Sequence, residues 1–434
     1  MNSCEVDEND FPDSWSVEPL NALNMRRSTT INPGLRADED FEYYSIPAYQ
    51  KDQRPVVAKG SEIGSAKLLL DQGTILFGKL NPRVEKVWRV GGYTKHRKIG
   101  STEWIPLVPR DDVDPGFLYF LMWSEHVMPK AKTLVSGSTP SRQRVDPRSF
   151  YRIQAPLPPL AEQRKIAAVL ESVQRAMEQQ ERLLALTSEL KKALLNQLFT
   201  HGLCHEPQKQ TELGPIPQSW EVRSIDELDL DIGDGNYSTK YPRQEEFRRE
   251  GVPFLRANNL VDGQLVWDDM RYISPELHAE LRKGHTKKDD VCLVTRGNIG
   301  QAAFVTDEFV GSNMNAQLVR LNGGDLLDGK FLYFALTHPV TQKQFKSLKT
   351  GTALQQLPIG KLKFVRIPIP SKDEQVEIAK SLWLVNEKCS VIERKHAALS
   401  TLFRTLLHEL MTARIRVLNL DIPQNVLANR ISEA

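Results

Sequence analysis

The chain repeats itself. Phe11-Pro12-Asp13-Ser14-Trp15-Ser16-Val17 returns as Ile216-Pro217-Gln218-Ser219-Trp220-Glu221-Val222, and Phe117-Leu118-Tyr119-Phe120 returns unchanged as Phe331-Leu332-Tyr333-Phe334. Ser136-Gly137-Ser138 is echoed by Thr350-Gly351-Thr352. Ala155-Pro156-Leu157-Pro158-Pro159 and Glu162-Gln163 match Ile367-Pro368-Ile369-Pro370 and Glu374-Gln375. The offset between copies runs only from 205 residues, at the tryptophans, to 214, at the Phe-Leu-Tyr-Phe strings. One match would be chance, but an ordered, collinear set is a duplication. A length of 434 residues is more than one core usually serves, so two like domains are expected.

Each copy closes on a long helical pattern. In the second, Ile378, Leu382, Val385, Cys389, Ile392, His396, Leu399, Phe403, Leu406 and Leu410 alternate steps of four and three, a seam kept for about five heptads. Ser371 with Glu374 predicts a capping box at its start, the hydroxyl taking one orphan amide while the carboxylate reaches back to another. His396 has no second histidine or cysteine one turn away and reads as a tolerated seam residue. The first copy places Ile166, Leu170, Val173, Met177, Leu184, Leu194 and Leu198 at the corresponding positions of a helix from Leu160 to Phe199. Gln180, Thr187 and Lys191 interrupt this seam, and Leu183, Leu186 and Leu190 beside them predict a second apolar face. Helices this long gain little from propensity and need partners, so the two are expected to pack antiparallel.

The expected fold class is α+β: two domains separated by two long, antiparallel coiled-coil helices, in a pseudo-twofold tandem duplication. Strand-like runs at 74–77, 291–294 and 318–321 mix with helices expected over 117–127 and 331–346. The boundaries read as a tail at 1–10, a first domain at 11–155, a helix at 156–200, a linker at 201–215, a second domain at 216–368, a helix at 369–417 and a tail at 418–434. The linker is read from the punctuation of Pro207, Gly214, Pro215 and Pro217.

Net charge is only +2, but its distribution is uneven. Lys79, Arg83, Lys86, Arg89, Lys95, Arg97 and Lys98 crowd one stretch against the single acid Glu85, and six basic residues without an acid lie between Lys343 and Arg366. Basic clusters in both modules predict a phosphate-facing surface. The four cysteines, Cys4, Cys204, Cys292 and Cys389, form no CxxC pair, which argues against a thiolate zinc site and suits a reducing cytoplasm. The acidic, polar start does not resemble a secretory signal, and no apolar run reaches the roughly 18 to 20 residues of a membrane span.

Catalytic motifs are missing. Asn81-Pro82-Arg83-Val84 lacks the second proline and the stacking aromatic of an adenine methyltransferase loop. Gly233-Asp234-Gly235 reads as a turn, and no GxxxxGK[ST] phosphate cradle occurs. Glu189-Leu190-Lys191 lies inside the heptad helix, far from the Pro-Asp pair at Pro12-Asp13 that a metal-dependent nuclease would need nearby.

Two recognition-sized domains alternating with two long helices resemble the specificity subunit of type I restriction–modification enzymes. Gly73-Thr74-Ile75-Leu76-Phe77-Gly78-Lys79-Leu80-Asn81-Pro82 and Ser101-Thr102-Glu103-Trp104 are similar to that family's first target-recognition domain. Asp290 to Gly300 is similar to the corresponding element of the second domain, and Pro156 to Gln163 to the junction with the helix. The second junction departs, with Ser371-Lys372-Asp373 in place of the Pro-Leu run, though Glu374-Gln375 keeps the register. The resemblance implies a non-catalytic chain in which each domain reads one half of a bipartite double-stranded DNA target. The helices would set the spacer and dock two modification (methyltransferase) subunits, with restriction subunits (ATP-dependent translocase and nuclease) completing the complex. S-adenosylmethionine, ATP and magnesium would belong to those partners, and this chain itself would bind no cofactor. About 38 helical residues span roughly 57 Å, enough to hold two readers about one DNA turn apart. The alternatives are a stand-alone methyltransferase or nuclease with degenerate motifs, and a coiled-coil scaffold binding DNA nonspecifically.

Phosphates call for cations on flexible stems, and base edges for planar groups with paired donors and acceptors. The phosphate candidates are Lys79, Arg83, Lys86, Lys95, Arg97 and Lys98, and Arg142, Gln143 and Arg144 are candidates for base edges. In the second module the planar groups are Arg256, Asn258, Asn259, Arg296, Asn298, the Asn313–Gln317 stretch with Asn315 and Gln317, Gln355 and Gln356. The helix-seam and docking candidates are Ile166, Leu170, Val173, Leu184, Leu194, Ile378, Leu382, Val385, Ile392, Leu399, Phe403, Leu406 and Leu410.

Overall fold

The structure, a computed structural model, describes residues 11–25, 29–236, 241–351 and 355–421. The expected tail at 1–10, Thr352 of the glycine echo and the tail beyond Asp421 lie outside the described residues. The chain divides into two compact units, Met1–Glu181 with Arg394–Ala434, and Arg182–Glu393. Each unit therefore holds one module, half of the first long helix and half of the second. The helices span Leu160–His201 and Lys372–Met411.

In the first unit a five-stranded sheet runs in the order Thr30–Ile31, Lys67–Leu70, Arg97–Gly100, Asp40–Tyr44, Val56–Lys59, with the pair Asp40–Tyr44 and Arg97–Gly100 parallel. A three-stranded antiparallel sheet, Val87–Arg89, Ile75–Gly78, Trp104–Leu107, lies beside it in sequence. The core gathers Ile75, Phe77, Phe117, Phe120 and Phe150 with Ile166 and Leu170 of the first helix and Leu410 and Met411 of the second. Here the helices run antiparallel: Glu181 meets His396 at 3.0 Å, while Glu162 takes Arg416 just past the second helix's end at 2.6 Å.

The second unit holds a four-stranded sheet, Asp231–Asp234, Leu318–Asn322, Val291–Val294, Ala302–Phe304, and a three-stranded one, Arg271–Ile273, Val252–Leu255, Asn313–Met314. Trp220, Phe331 and Phe334 pack with Leu198 and Phe199 of the first helix and Ile378 and Leu382 of the second. Lys191 Nζ donates to Asn386 Oδ1 at 2.5 Å, and Leu203 N to Glu374 Oε1 at 3.0 Å, so the pairing is antiparallel here too.

The repeated residues build one joint in each unit. Trp15 Nε1 donates to Glu162 at 3.0 Å, and Trp220 Nε1 to Glu374 at 2.9 Å. Gln163 accepts from Asp114 N (2.8 Å) and donates to the Asp112 and Pro158 carbonyls. Gln375 accepts from Asp328 N (2.9 Å) and donates to the Leu326 and Pro370 carbonyls. Asp114 and Asp328 each cap the helix that carries the Phe-Leu-Tyr-Phe string, accepting from Phe117 N and Phe331 N. The duplicated strings are thus the parts by which each module grips its helix.

Several expectations need correction. The 201–215 linker contains half of a hairpin, Gln208–Thr211 against Gly214–Pro217; Pro215 and Pro217 are tolerated because this two-stranded ribbon is all edge. The helix expected over 331–346 is two helices, Gly329–Thr337 and Pro339–Leu348, because Pro339 forces His338 out of the helical region. The helix expected over 117–127 spans Pro115–Trp123, and a separate one follows at Met128–Thr133. The capping box at Ser371 is half made: Glu374 N donates to Ser371 Oγ at 3.4 Å, but the Glu374 carboxylate serves Trp220 and Leu203 instead.

Candidate nucleic-acid interface

In the first module two loops meet at one end of the three-stranded sheet. Asn81 N donates to the Gln143 carbonyl at 2.8 Å and Val145 N to the Lys79 carbonyl at 3.0 Å, which brings Lys79, Arg83, Arg142, Gln143 and Arg144 together. Arg144 is held by Glu103 through both carboxylate oxygens (3.0–3.2 Å), and Lys79 Nζ by the Thr102 carbonyl at 2.8 Å. Arg83 and Arg142 stand exposed. Lys86 does not reach the surface: it is 3% exposed, donates to the Asn81 and Val84 carbonyls, and burial pushes its pKa down. Its aliphatic stem covers Gly78, where a Cβ would come within 2.8 Å. It is a strut under the loop and is withdrawn as a phosphate contact.

Lys95, Arg97 and Lys98 sit elsewhere. The chain leaves the three-stranded sheet at Arg89, and the loop 91–96 follows from that opposite end. Arg97 pairs with Glu39 at 3.3 Å, and Lys98 approaches the buried Glu42 at 3.5 Å. The single basic stretch of the sequence is therefore two sites in space.

The second module gathers its planar groups by backbone bonds. Asn315 N donates to the Leu255 carbonyl, Thr295 N to the Gln317 carbonyl and Leu357 N to the Thr295 carbonyl. Arg296 and Gln356 form a β-bridge. Arg256, Gln317, Arg296, Asn298, Gln355 and Gln356 thus converge. Arg296, Asn298, Gln355 and Gln356 are exposed. Arg256 pairs with Asp269 at 2.9 Å, which holds the Asp269 carboxyl below its usual range, and Asn258 donates to the same carboxylate at 3.0 Å. Asn259, Asn313 and Asn315 are buried and serve turns: Asn259 accepts from Arg256 N, Asn313 from Asn236 Nδ2, and Asn315 from Gln317 N. These three are corrected to scaffold.

The seam candidates face inward. Ile166, Leu170, Ile378, Leu382, Ile392 and Leu410 are buried, while Val173, Leu184, Leu194, Val385, Leu399, Phe403 and Leu406 are half-buried. Beside the first module lies a cleft of about 1150 Å³, walled by Trp88, Tyr93 and Tyr119 on the module and by Glu171, Glu178 and Glu181 on the helix. Arg89 bridges to Glu171 there at 3.0 Å. Sequence reasoning missed Glu42, and it missed Tyr93 and His96, for which the Gly91-Gly92 pair before an aromatic–cationic run was the available signal. Among the described residues no three His, Cys, Asp or Glu side chains gather as metal ligands, and no helix is long and apolar enough to cross a membrane.

Comparison with known proteins accords with this arrangement. Residues 217–401 match the Type I restriction modification DNA specificity domain. The chain is 22% identical over 418 residues to the type I restriction enzyme MjaVIII specificity subunit of Methanocaldococcus jannaschii, covering 94% of this chain and 95% of that one. It is 24% identical over 288 residues to the EcoBI specificity subunit of Escherichia coli, covering 63% of this chain and 59% of the other. The crystal structure of a type I restriction-modification S subunit from M. genitalium shares the fold with a TM-score of 0.62 at 14% identity, over 94% of this chain and 97% of that one. With two copies of the same helix-gripping module, the chain carries the type I restriction modification DNA specificity domain over residues 217–401 and is similar along nearly its whole length to type I restriction enzyme specificity subunits.

Proposed function

We propose that this chain is the DNA-reading, non-catalytic subunit of a type I restriction–modification complex, each module reading one half of a bipartite target. The observation that carries the reading is the shared joint under unlike loops. Trp15-Glu162-Gln163 and Trp220-Glu374-Gln375 are alike in chemistry, whereas the groups gathered on the loops of the two modules differ: Lys79, Arg83 and Arg142 in one, Arg296, Asn298 and Gln356 in the other. A common mount with different guanidinium and amide sets is what reading two different half-sites requires.

The helices supply the docking surface for two modification subunits. Leu183, Leu186 and Leu190 on the first helix and Leu384 and Val391 on the second are 40–62% exposed. Each is the residue just before a seam position, so in an antiparallel pair all five lean to one side. Methyl transfer with S-adenosylmethionine, and ATP- and magnesium-dependent cleavage, belong to the partner subunits in the cytoplasm. Mapping methylated adenines in host DNA with and without this chain tests the reading: one bipartite motif should lose methylation when the chain is removed, and an unchanged methylation map would refute it.

A further inference from the structure

Glu42 is a charged group that the fold hides completely. It is 0% exposed, in the middle of the five-stranded sheet. Removing a carboxylate from water costs several kcal/mol unless donors replace the lost hydration. The donors are Thr94 of the loop 91–96, Lys98 of the strand that follows it and Tyr44 of Glu42's own strand. Glu42 Oε2 accepts from Thr94 N at 2.7 Å and Thr94 Oγ1 at 2.6 Å, with Lys98 Nζ at 3.5 Å. Oε1 accepts from Tyr44 OH at 2.7 Å, and the same phenol oxygen accepts from Gly91 N at 3.0 Å. Lys98 Nζ also donates to the Thr94 carbonyl, and His96 N to Thr94 Oγ1.

A six-residue loop, 91–96, that opens with Gly91-Gly92 has no intrinsic reason to hold one shape. Here its middle, Thr94, is fastened directly to the buried Glu42, its first glycine is held through the Tyr44 phenol, and Lys98 just beyond it reaches both Glu42 and the Thr94 carbonyl. The inner edge of the loop, at Tyr93, forms part of the cleft wall beside the helix. The outer edge turns Lys95 and His96 into solvent, while Arg97 is occupied by Glu39 and Lys98 by Glu42. The fold thus fixes a loop whose outward groups are one cation and one imidazole, the latter able to donate and accept. Preorganising a binding loop lowers the ordering cost that association must otherwise meet.

We propose that Lys95 and His96 form a second DNA-contacting element of the first module, separate from the Lys79–Arg142 cluster, and that Glu42 is its positioning residue. The inference rests on the reading of the chain as a DNA-recognition subunit. Lys95 meets phosphate, His96 reaches a base edge, and Glu42 acts only through Thr94.

The test uses the full chain in complex with its modification subunits and the duplex identified by methylation mapping, with each half-site altered in turn. Lys95→Ala/His96→Ala, both exposed, should weaken binding to the intact duplex by roughly tenfold or more and lower the salt dependence by about one ion. Discrimination against one altered half-site should shrink, and discrimination at the other should stay as in the wild type. Thr94→Val should reproduce the loss, because it keeps the shape but not the hydroxyl, and Thr94→Ser should restore wild-type behaviour. Glu42→Gln should flatten the same half-site, with thermal melting recorded beside it. If the Lys95/His96 variant discriminates both half-sites as the wild type does, the inference is overturned. If the wild type itself shows no bipartite discrimination, it is the DNA-recognition reading that fails.

Discussion

Nine residues beyond the glutamate of the Glu-Gln pair, the first helix carries Glu171 and the second Trp383, at the same step of the duplicated sequence. In the second unit Trp383 lies against Phe304 and Tyr333 (centroids 5.3 and 6.0 Å), with Lys330 Nζ 4.6 Å above its ring. Further along, Ser390 of the same helix bonds Gln264 of the module at 3.0 Å. In the first unit the equivalent wall is Glu171, tied to Arg89, and an open cleft follows. One copy closes the space beside the joint with apolar contact; the other leaves it wet and charged. Duplication preserved the grip on the helix and released the wall next to it, so the two modules differ in how firmly they lean on their helices.

The sharpest test exchanges the two walls. Trp383→Glu should destabilise the second unit by about 3 kcal/mol, through lost aromatic packing and a carboxylate facing apolar rings. Glu171→Trp should change the first by less than about 1 kcal/mol, since it removes a partly exposed ion pair. Equal losses in thermal unfolding would erase the distinction. The shared joint is probed next: Gln163→Leu and Gln375→Leu each remove one acceptor and two donor contacts from a buried amide and should each cost about 2 to 3 kcal/mol. Markedly unequal costs would show that the joints are alike in geometry only.

Acid should act on the second unit through His338. Burial pushes its pKa down to about 4 from 6.5. The unfolded chain takes up a proton in that window and the folded chain does not. Stability is therefore complete above about pH 6.5 and falls by up to roughly 2 to 3 kcal/mol as pH drops toward 4. His338→Phe, which keeps the stack on Phe199, should flatten that part of the denaturation–pH profile. The smallest effect expected is functional: Arg142→Ala should weaken DNA binding by about 1 kcal/mol and lower the salt dependence by about one ion, with discrimination impaired at one half-site only. Equal impairment at both half-sites would break the modular comparison.

The duplication, the antiparallel long helices and the α+β class were legible because collinear strings and heptads are local patterns. The purpose of Glu162-Gln163 and Glu374-Gln375 was not, because their partners, Trp15 and Asp114 or Trp220 and Asp328, are distant in sequence. The basic stretch from Lys79 to Lys98 was legible as composition but not as geometry. It crosses a strand, so its two ends leave the sheet in opposite directions, and Lys86 between them is spent as a strut. Asn259, Asn313 and Asn315 looked like readers because turn-forming and base-reading asparagines cannot be told apart by identity. Glu42 gave no signal at all, since one acid in a strand is common and only its burial marks it out.

The first unit is assembled from two segments distant in sequence: Arg416 closes on Glu162, and its guanidinium also donates to Ser14 Oγ. A ribosome making this protein must therefore add the 212 residues of Arg182–Glu393 before the first unit can receive its last helix. At about 5 to 20 residues per second, that is a wait of roughly 10 to 40 seconds with Phe120, Ile166 and Leu170 incompletely covered. The later-made unit is uninterrupted in sequence and can close as soon as it emerges, so synthesis order and folding order run opposite ways. A chain that ended at Glu393 and had left the ribosome would present a finished second reader and an unfinished first, and it would draw chaperones to the part that was made earliest.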